Sequence, residues 1–318
     1  ALGPYQNFHP VSCNEMDNFS RFERCTFKIT SNNSAHVNFD YHTYLASVKG
    51  IQFKGCYFAD YSASNMPVNG TAGIYVVGSS FIVTESCLDP TISPCQQFQT
   101  GSFTNLNYGV KAYGLRKGNS CIIEKATFSG NYTGIYLSAM DESAVNLNSF
   151  SMSNPYDSTH TSPLLCGLYL DHCTGYQVEE NDFYSNYSPA TQKHTVGIVV
   201  NNSGEEDNWI YNNNCTNLFA GILAQNQNRN EDGTDGLEIR CNDFSTCEYD
   251  IAVTADTVYK DVGIKSNQGS NDNDRTAPAN NIFSYTHNNP VSDYYNEGGD
   301  IVYWYLNDTL SMVNLIPV

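Results

Sequence analysis

Basic residues are scarce in this chain. Lys and Arg total 15 against 33 Asp and Glu, which leaves a formal charge of −18. Nucleic acid and anionic membrane surfaces both need a basic footprint, so neither is expected as a partner. The same field opposes tight capture of polyanions, unless a local basic patch or bound calcium reverses it. Long apolar runs are also missing. None approaches the roughly 18 residues that a spanning helix requires, so no membrane insertion is expected. Nowhere do apolar residues hold a 3.6-residue spacing, which leaves little room for helices. Cys-x-x-Cys pairs are absent, which excludes the usual structural zinc sites, and the seven histidines show no ligand spacing. A charged segment followed by an apolar stretch is missing from the start, Ala-Leu-Gly-Pro. The chain therefore reads as a mature or excised segment.

What the chain does have is a repeated phrase. A glycine precedes a short alternating run in Gly73-Ile-Tyr-Val, Gly109-Val-Lys-Ala, Gly134-Ile-Tyr-Leu, Gly167-Leu-Tyr-Leu, Gly197-Ile-Val-Val and Gly221-Ile-Leu-Ala. In a seventh copy, Asp250-Ile-Ala-Val, aspartate replaces the glycine. Successive copies lie 36, 25, 33, 30, 24 and 29 residues apart. Between them stands a second phrase, a short strand closing on an aromatic, as in the segments ending at Phe58, Phe128, Phe150, Phe183 and Phe244. One variant closes on Cys215. Two residues before the closing position come Asn148, Asn181, Asn213 or Asn242, with Cys25, Cys56 and Ala126 in earlier copies.

Both phrases alternate with period two, the mark of strands with one buried face. A propeller blade needs four strands and about 40–50 residues, more than this period allows. A sandwich would not repeat one phrase at fixed strand positions. Two or three short strands per turn of about 25–30 residues make a parallel β-helix, an all-β solenoid in which each coil lies on the last. The expected organisation is a capping segment over residues 1–20, the β-helix over 21–255, and a final coil or cap over 256–318. Ile74, Val110, Ile135, Leu168, Ile198, Ile222 and Ile251 should stack inward as one ladder. The four asparagines should sit at equivalent turns, with side chains bonded to backbone.

These phrases resemble the right-handed parallel β-helix superfamily of pectate-lyase-like proteins. They are most similar to Asn-rich β-helix segments of large secreted bacterial surface proteins of the Bacteroidetes type. The resemblance covers about residues 20–255. It implies the fold, and a function anywhere among lyases, glycoside hydrolases, tailspikes and non-catalytic adhesins. Polygalacturonase-like motifs are mostly missing: Gly233-Thr-Asp and Gly263-Ile-Lys are present, but there is no Asp-Asp pair and no Gly-His-Gly. Few lysines, many Asn, Tyr, Ser and Thr, and the fold itself point to an extracellular or cell-surface location.

Three insertions lengthen single coils, at 84–102, 153–165 and 226–235. Inserted loops of a solenoid often build its binding site. Cys87 and Cys95 bracket a loop with two prolines and are the leading disulfide candidates, with Cys241 and Cys247 second. No cofactor is required by any motif. Calcium is the one candidate metal, in the acidic loops Asn230–Asp235 or Asn271–Asp274.

On the outward side of the glycine-led strand, Tyr75, Lys111, Tyr136 and Tyr169 should form one exposed stripe, followed by Val199, Leu223 and Ala252. A second outward column should contain Asp171, Asn201, Gln225 and Arg240, with His172 beside Asp171. Sugar rings stack on aromatic faces, so Tyr75, Lys111, Tyr136, Tyr169 and Asp171 are the candidate ligand-binding residues. The partner would be a glycan or cell-surface polymer, held by a non-catalytic module of a longer adhesin-like chain or surface assembly. The alternatives are a polysaccharide lyase or hydrolase in a groove on that face, with Asp171 and Glu238 as candidate carboxyls, and a rigid spacer.

Overall fold

The structure is a computed structural model that describes residues 20–30, 40–61, 71–152, 165–186, 194–255, 262–270, 278–284 and 293–305. Among these residues there is no helix, and three long parallel sheets carry the fold. Sheet A has eight strands, from Ser20–Glu23 to Leu237–Arg240. Sheet B has eight, from Thr26–Thr30 to Asp243–Ser245, and sheet C has nine, from Tyr41–Ala46 to Tyr294–Asn296. Each coil gives one strand to A, then B, then C, and pairs in parallel with the equivalent strands of the next coil. This is a single-stranded right-handed parallel β-helix. The segment expected to cap its first coil lies outside the described residues, apart from Ser20.

The core is built from ladders. In sheet C, Ile74, Val110, Ile135, Leu168, Ile198, Ile222 and Ile251 stand in register through seven coils, all fully buried. In sheet B the rings of Phe27, Phe58, Phe103, Phe128, Phe150 and Phe183 stack with centroids 4.6 to 4.9 Å apart. Cys215 fills the next place, and Phe244 resumes the series. The repeated glycine answers to this packing. A Cβ at Gly134 would meet the Gly167 carbonyl oxygen at 2.5 Å and the Phe150 ring at 2.7 Å. In the seventh copy Asp250 is fully buried, and its carboxyl accepts from Ser284 N at 2.6 Å and Ser284 Oγ at 2.7 Å.

The asparagine column is a buried polar ladder. Each Oδ1 accepts the backbone N–H of the ladder residue one coil before: Asn181 from Asn148 at 2.9 Å, Asn213 from Asn181 at 3.0 Å, Asn242 from Asn213 at 2.9 Å. Each Nδ2 donates to a carbonyl of the coil before and to the next asparagine's Oδ1. A fifth rung, Asn281, extends the series beyond Asn242. The residues just before the rungs, among them Lys125, Leu147, Glu180 and Asn212, take left-handed backbone, so the chain turns a corner there.

A second left-handed corner follows sheet C at Ser47, Gly78, Ala139, His172, Asn202 and Asn226. Ala139 has φ 51° and is exposed. Left-handed backbone costs an L-residue roughly 1–2 kcal/mol, and a glycine adds about 0.5–1 kcal/mol of unfolded-state entropy. Ala139→Gly is therefore expected to raise the unfolding free energy by about 0.5 kcal/mol, read from a denaturant titration. A loss of stability would show that Ala139 is not strained.

Cys87 and Cys95 form a disulfide, on a short antiparallel hairpin of Ser86–Cys87 and Phe98–Gln99. The second candidate pair is not bonded. Cys241 is half-buried at the corner before Asn242, while Cys247 lies buried in the core, each as a free thiol. The loop 230–235 closes on itself: Asn230 Nδ2 donates to Thr234 Oγ1 and Asp235 Oδ2, and Asp235 N donates to Asn230 Oδ1. These oxygens accept N–H groups of the loop itself, and the loop does not support a calcium site. The other acidic loop, 271–274, lies outside the described residues, as does most of the insertion at 153–165.

Candidate functional site

Sheet C turns one face to the core and the other outward. The central outward column is Tyr44, Tyr75, Lys111, Tyr136, Tyr169, Val199, Leu223, Ala252 and Tyr295, in register coil by coil. Tyr75, Lys111, Tyr136 and Tyr169 are thus brought into one line. Neighbouring strand positions widen it. Tyr41 stacks on Tyr75 at 5.8 Å, Tyr113 meets Tyr75 at 6.0 Å and Tyr136 at 5.7 Å, and Tyr136 meets Tyr169 at 5.4 Å. The row of rings therefore runs unbroken from Tyr41 and Tyr44 to Tyr169. Lys111, which interrupts the column, is filled in by Tyr113. Its Nζ lies 4.2 Å from the Tyr108 ring centroid, 5.7 Å from that of Tyr113 and 6.0 Å from that of Tyr136. A cation over aromatic faces is held by their quadrupoles.

The stripe is not fully exposed, as its position on the strand suggested. Tyr44 is 47% exposed, but Tyr75, Lys111, Tyr136 and Tyr169 are half-buried and Val199 is completely buried. The rings cover one another from coil to coil. Val199 joins Cys166, Val196 and Ala220 in a second apolar cluster, separate from the core, against which Tyr169, Phe219, Leu223 and Tyr249 pack. Burial raises the phenol pKa of Tyr75, Tyr113 and Tyr136, and pushes that of Tyr169 to about 12. For the last three, the charge of Asp171 is the next cause. These hydroxyls are therefore neutral donors at ordinary pH.

Asp171 lies beside Tyr169 on the same strand, in the flanking column Tyr113, Ser138, Asp171, Asn201, Gln225. Its Oδ2 accepts from Ser138 Oγ at 3.2 Å and Tyr136 OH at 3.4 Å, and its Oδ1 accepts from Asn201 Nδ2 at 2.9 Å. His172 Nδ1 stands 2.8 Å from the same Oδ1. Asn226 Nδ2 donates in turn to Asn201 Oδ1 at 2.9 Å. His172 and Asn226 both occupy the left-handed corner that follows the strand, and so aim their side chains back over its end.

Arg240 does not belong to this column. It pairs with Tyr211 in sheet A, because the phrase Leu237–Arg240 supplies sheet A and not sheet C. There its guanidinium lies 5.5 Å from the Trp209 ring and 3.5 Å from Glu238. Glu238 is buried and also takes Lys265 at 3.3 Å and Gly269 N at 3.2 Å. Asp171 and Glu238 thus occupy different sheets. The sequence reading also missed Tyr41, Tyr44, Tyr108 and Tyr113. Tyr44 belongs to an earlier copy of the repeat that lacks the glycine, and Tyr113 lies two residues beyond Lys111 on the same side of the strand.

A protein-family model described as "Periplasmic copper-binding protein (NosD)" matches residues 14–199, more than half of the chain. No curated protein matches it. Copper takes thiolate and imidazole ligands among others, and the described residues bring together no such cluster. No three His, Cys, Asp or Glu side chains among them converge on one point. The thiols of Cys121, Cys166 and Cys173 are buried, and burial pushes each to about 12, so they stay protonated and act as small apolar side chains. Cys215 and Cys247 are raised for the same first reason. By the model match over most of its length, and by the parallel β-helix of stacked repeats, the chain belongs to the NosD family.

Proposed function

We propose that this chain is a non-catalytic, extracytoplasmic β-helix module whose sheet C face binds a linear glycan lying along the solenoid axis, within a larger surface assembly. The observation that carries this reading is the unbroken row of tyrosines from Tyr41 to Tyr169 with the Asp171 network at its edge. Rings presented one per coil suit the flat C–H faces of successive sugars. Neutral phenols, Asn201 and the Asp171 carboxyl suit their hydroxyls. The family's description as periplasmic supports the location, and so does a disulfide, which persists in oxidising compartments. Family membership brings a copper-binding description with it, but the described donor set gives no reason to assign that role to these coils.

The absence of catalysis is inferred from the carboxyls. Glycoside hydrolysis takes two of them flanking the scissile bond, about 5–9.5 Å apart. Among the described residues Asp171 is the carboxyl that meets Tyr136 and Ser138, while Glu238 is committed to Arg240 and Lys265 on another sheet.

Calorimetric titration with neutral and acidic oligosaccharides tests this. An aromatic contact is worth about 0.5–1.5 kcal/mol, so Tyr136→Ala is expected to weaken binding about 3- to 10-fold. Tyr136→Phe keeps the ring and should retain most of the affinity, which separates stacking from the hydroxyl contact. If wild type binds nothing in the panel, or all three proteins bind alike, the face is not a glycan site. Release of reducing ends would replace the binding reading by an enzymatic one.

A further inference from the structure

We infer that two copies of this chain associate side by side and antiparallel, through the edge where sheet A meets sheet B. The turn from A to B is described in every coil from Glu23 to Asn242, and it carries three unlike stretches in order along the solenoid. In the first two coils the edge is basic. Arg21 and Arg24 are exposed and Lys54 is half-buried, with the carboxyl of Glu23 among them, 3.2 Å from Arg21 Nε. Arg24 and Lys54 reach that same carboxyl with their charges. In the third coil the edge is apolar. The hairpin closed by Cys87 and Cys95 stands between the A strand Phe81–Thr84 and the B strand Gly101–Thr104, and holds Leu88, Ile92 and Phe98 at 42%, 45% and 46% exposure. Leu147, at the corner of the fifth coil, is 46% exposed. In the sixth coil the edge is acidic. Glu180 and Asp182 are exposed, Glu179 is half-buried, and none of the three forms an ion pair among the described residues.

A surface with this order fits a second copy of itself turned end for end. The basic stretch centres between coils one and two and the acidic stretch on coil six, about 22 Å apart at about 4.8 Å per coil. A two-fold axis halfway between them lies near coil four. It sets each basic stretch on the acidic stretch of the other copy, and it brings the third-coil hairpin of each copy beside the partner's Leu147. A parallel pair would set like charge on like, which is costly. The chain as a whole has the same polarity. Residues 1–125 hold nine Lys and Arg against eight Asp and Glu, and residues 126–318 hold six against 25. The total charge of −18 opposes association. At physiological ionic strength, however, exposed charges more than about 8 Å apart are largely screened, so the groups in contact decide. Apolar side chains at the middle of a patch with charges at its rim are the usual anatomy of a protein interface. Sheet C forms the side of each coil opposite this edge, so both tyrosine faces stay open in the pair.

Analytical ultracentrifugation of the whole chain over a range of concentrations tests this. The expected result is a monomer–dimer equilibrium that stops at the dimer and weakens in about 1 M salt. Arg21→Glu with Arg24→Glu makes both charged stretches acidic, and Glu180→Lys with Asp182→Lys makes both basic. All four residues are exposed, so each double variant should keep the wild-type melt in circular dichroism. Either variant alone should dimerise at least about tenfold more weakly, because like charges then face each other. An equal mixture of the two should recover wild-type affinity as a heterodimer. Leu147→Asp should also weaken the dimer at least about tenfold, since it sets a charge against the partner's hairpin. A chain that stays monomeric at every concentration would overturn the proposal. So would masses that grow past the dimer, which mean head-to-tail stacking, or a mixture of the two charge variants that recovers nothing.

Discussion

Ile135→Asp will prevent the central coils from forming. Ile135 is completely buried, between Val110 of the coil before and Leu168 of the coil after. Losing its side chain forfeits roughly 1.5–3 kcal/mol of apolar burial. The new carboxyl must then be buried without a partner, which costs several kcal/mol more even if it takes up a proton. Total stability of a folded domain is about 5–15 kcal/mol, so one such change consumes much of it. The solenoid aggravates the loss, because coils on both sides depend on this one for their hydrogen-bonding edges. The expected result is loss of the cooperative melt in circular dichroism and rapid proteolysis of the middle of the chain. Thr127→Asp is the comparison. Thr127 faces outward on sheet B between Ser102 and Ser149, and the substitution should change stability by less than about 1 kcal/mol. A folded Ile135→Asp protein would mean that the ladder is not where the fold places it.

The inward ladders could be read from the sequence because their constraints act locally. A strand with one buried face must alternate, and a glycine is forced wherever the next coil's carbonyl approaches within 2.5 Å of its absent Cβ, as at Gly134. Asparagine recurs because its amide can accept an N–H of the coil before while donating to a carbonyl of that coil and to the next asparagine. The corners were less legible. Leu147, Glu180 and Ala139 hold left-handed backbone with no residue type that advertises it, since the stacked coils impose the turn. Asn226, in what reads as an inserted loop, is one of these corners and donates to Asn201.

The outward face depends on how strands of different coils come together, and there the sequence was a weaker guide. Tyr75, Lys111, Tyr136 and Tyr169 share a phrase and so could be aligned by eye. Tyr113 and Tyr41 join the row only because rings on adjacent strand positions reach across to it. Arg240 was misplaced because its phrase resembles that of sheet C in composition, while only the register assigns Leu237–Arg240 to sheet A. Exposure was overestimated for a related reason. Alternation tells which side of a sheet a residue takes, but not what packs on that side, and Val199 faces outward into an apolar cluster.

Asn181→Leu should be the most damaging substitution among the polar residues. The two side chains branch alike, so the substitution removes the hydrogen bonds while keeping the shape, and the larger methyl groups add to the loss by overpacking. Asn181 is fully buried and occupies the middle of the ladder. Its loss strands the N–H of Asn148, whose acceptor at 2.9 Å is Asn181 Oδ1, and one amide hydrogen of the Asn148 side chain. It also strands the Val145 carbonyl, 2.8 Å from Asn181 Nδ2, and removes a donor from Asn213 Oδ1. Each buried group left unsatisfied costs about 1–3 kcal/mol. Some relax toward other partners, and the leucine recovers part of the loss through its own burial, so a net loss of about 3–5 kcal/mol is expected. Asn214→Leu provides the contrast, one residue outside the ladder. Asn214 directly follows Asn213 but is exposed, and its one side-chain bond, to Asp182 at 2.7 Å, is in water. That change should cost less than about 0.5 kcal/mol. Denaturant titrations of the two variants against wild type decide the matter. Similar midpoints for both would show that the ladder amides contribute no more than surface amides, and the polar column would then be a consequence of the coil stacking and not one of its causes.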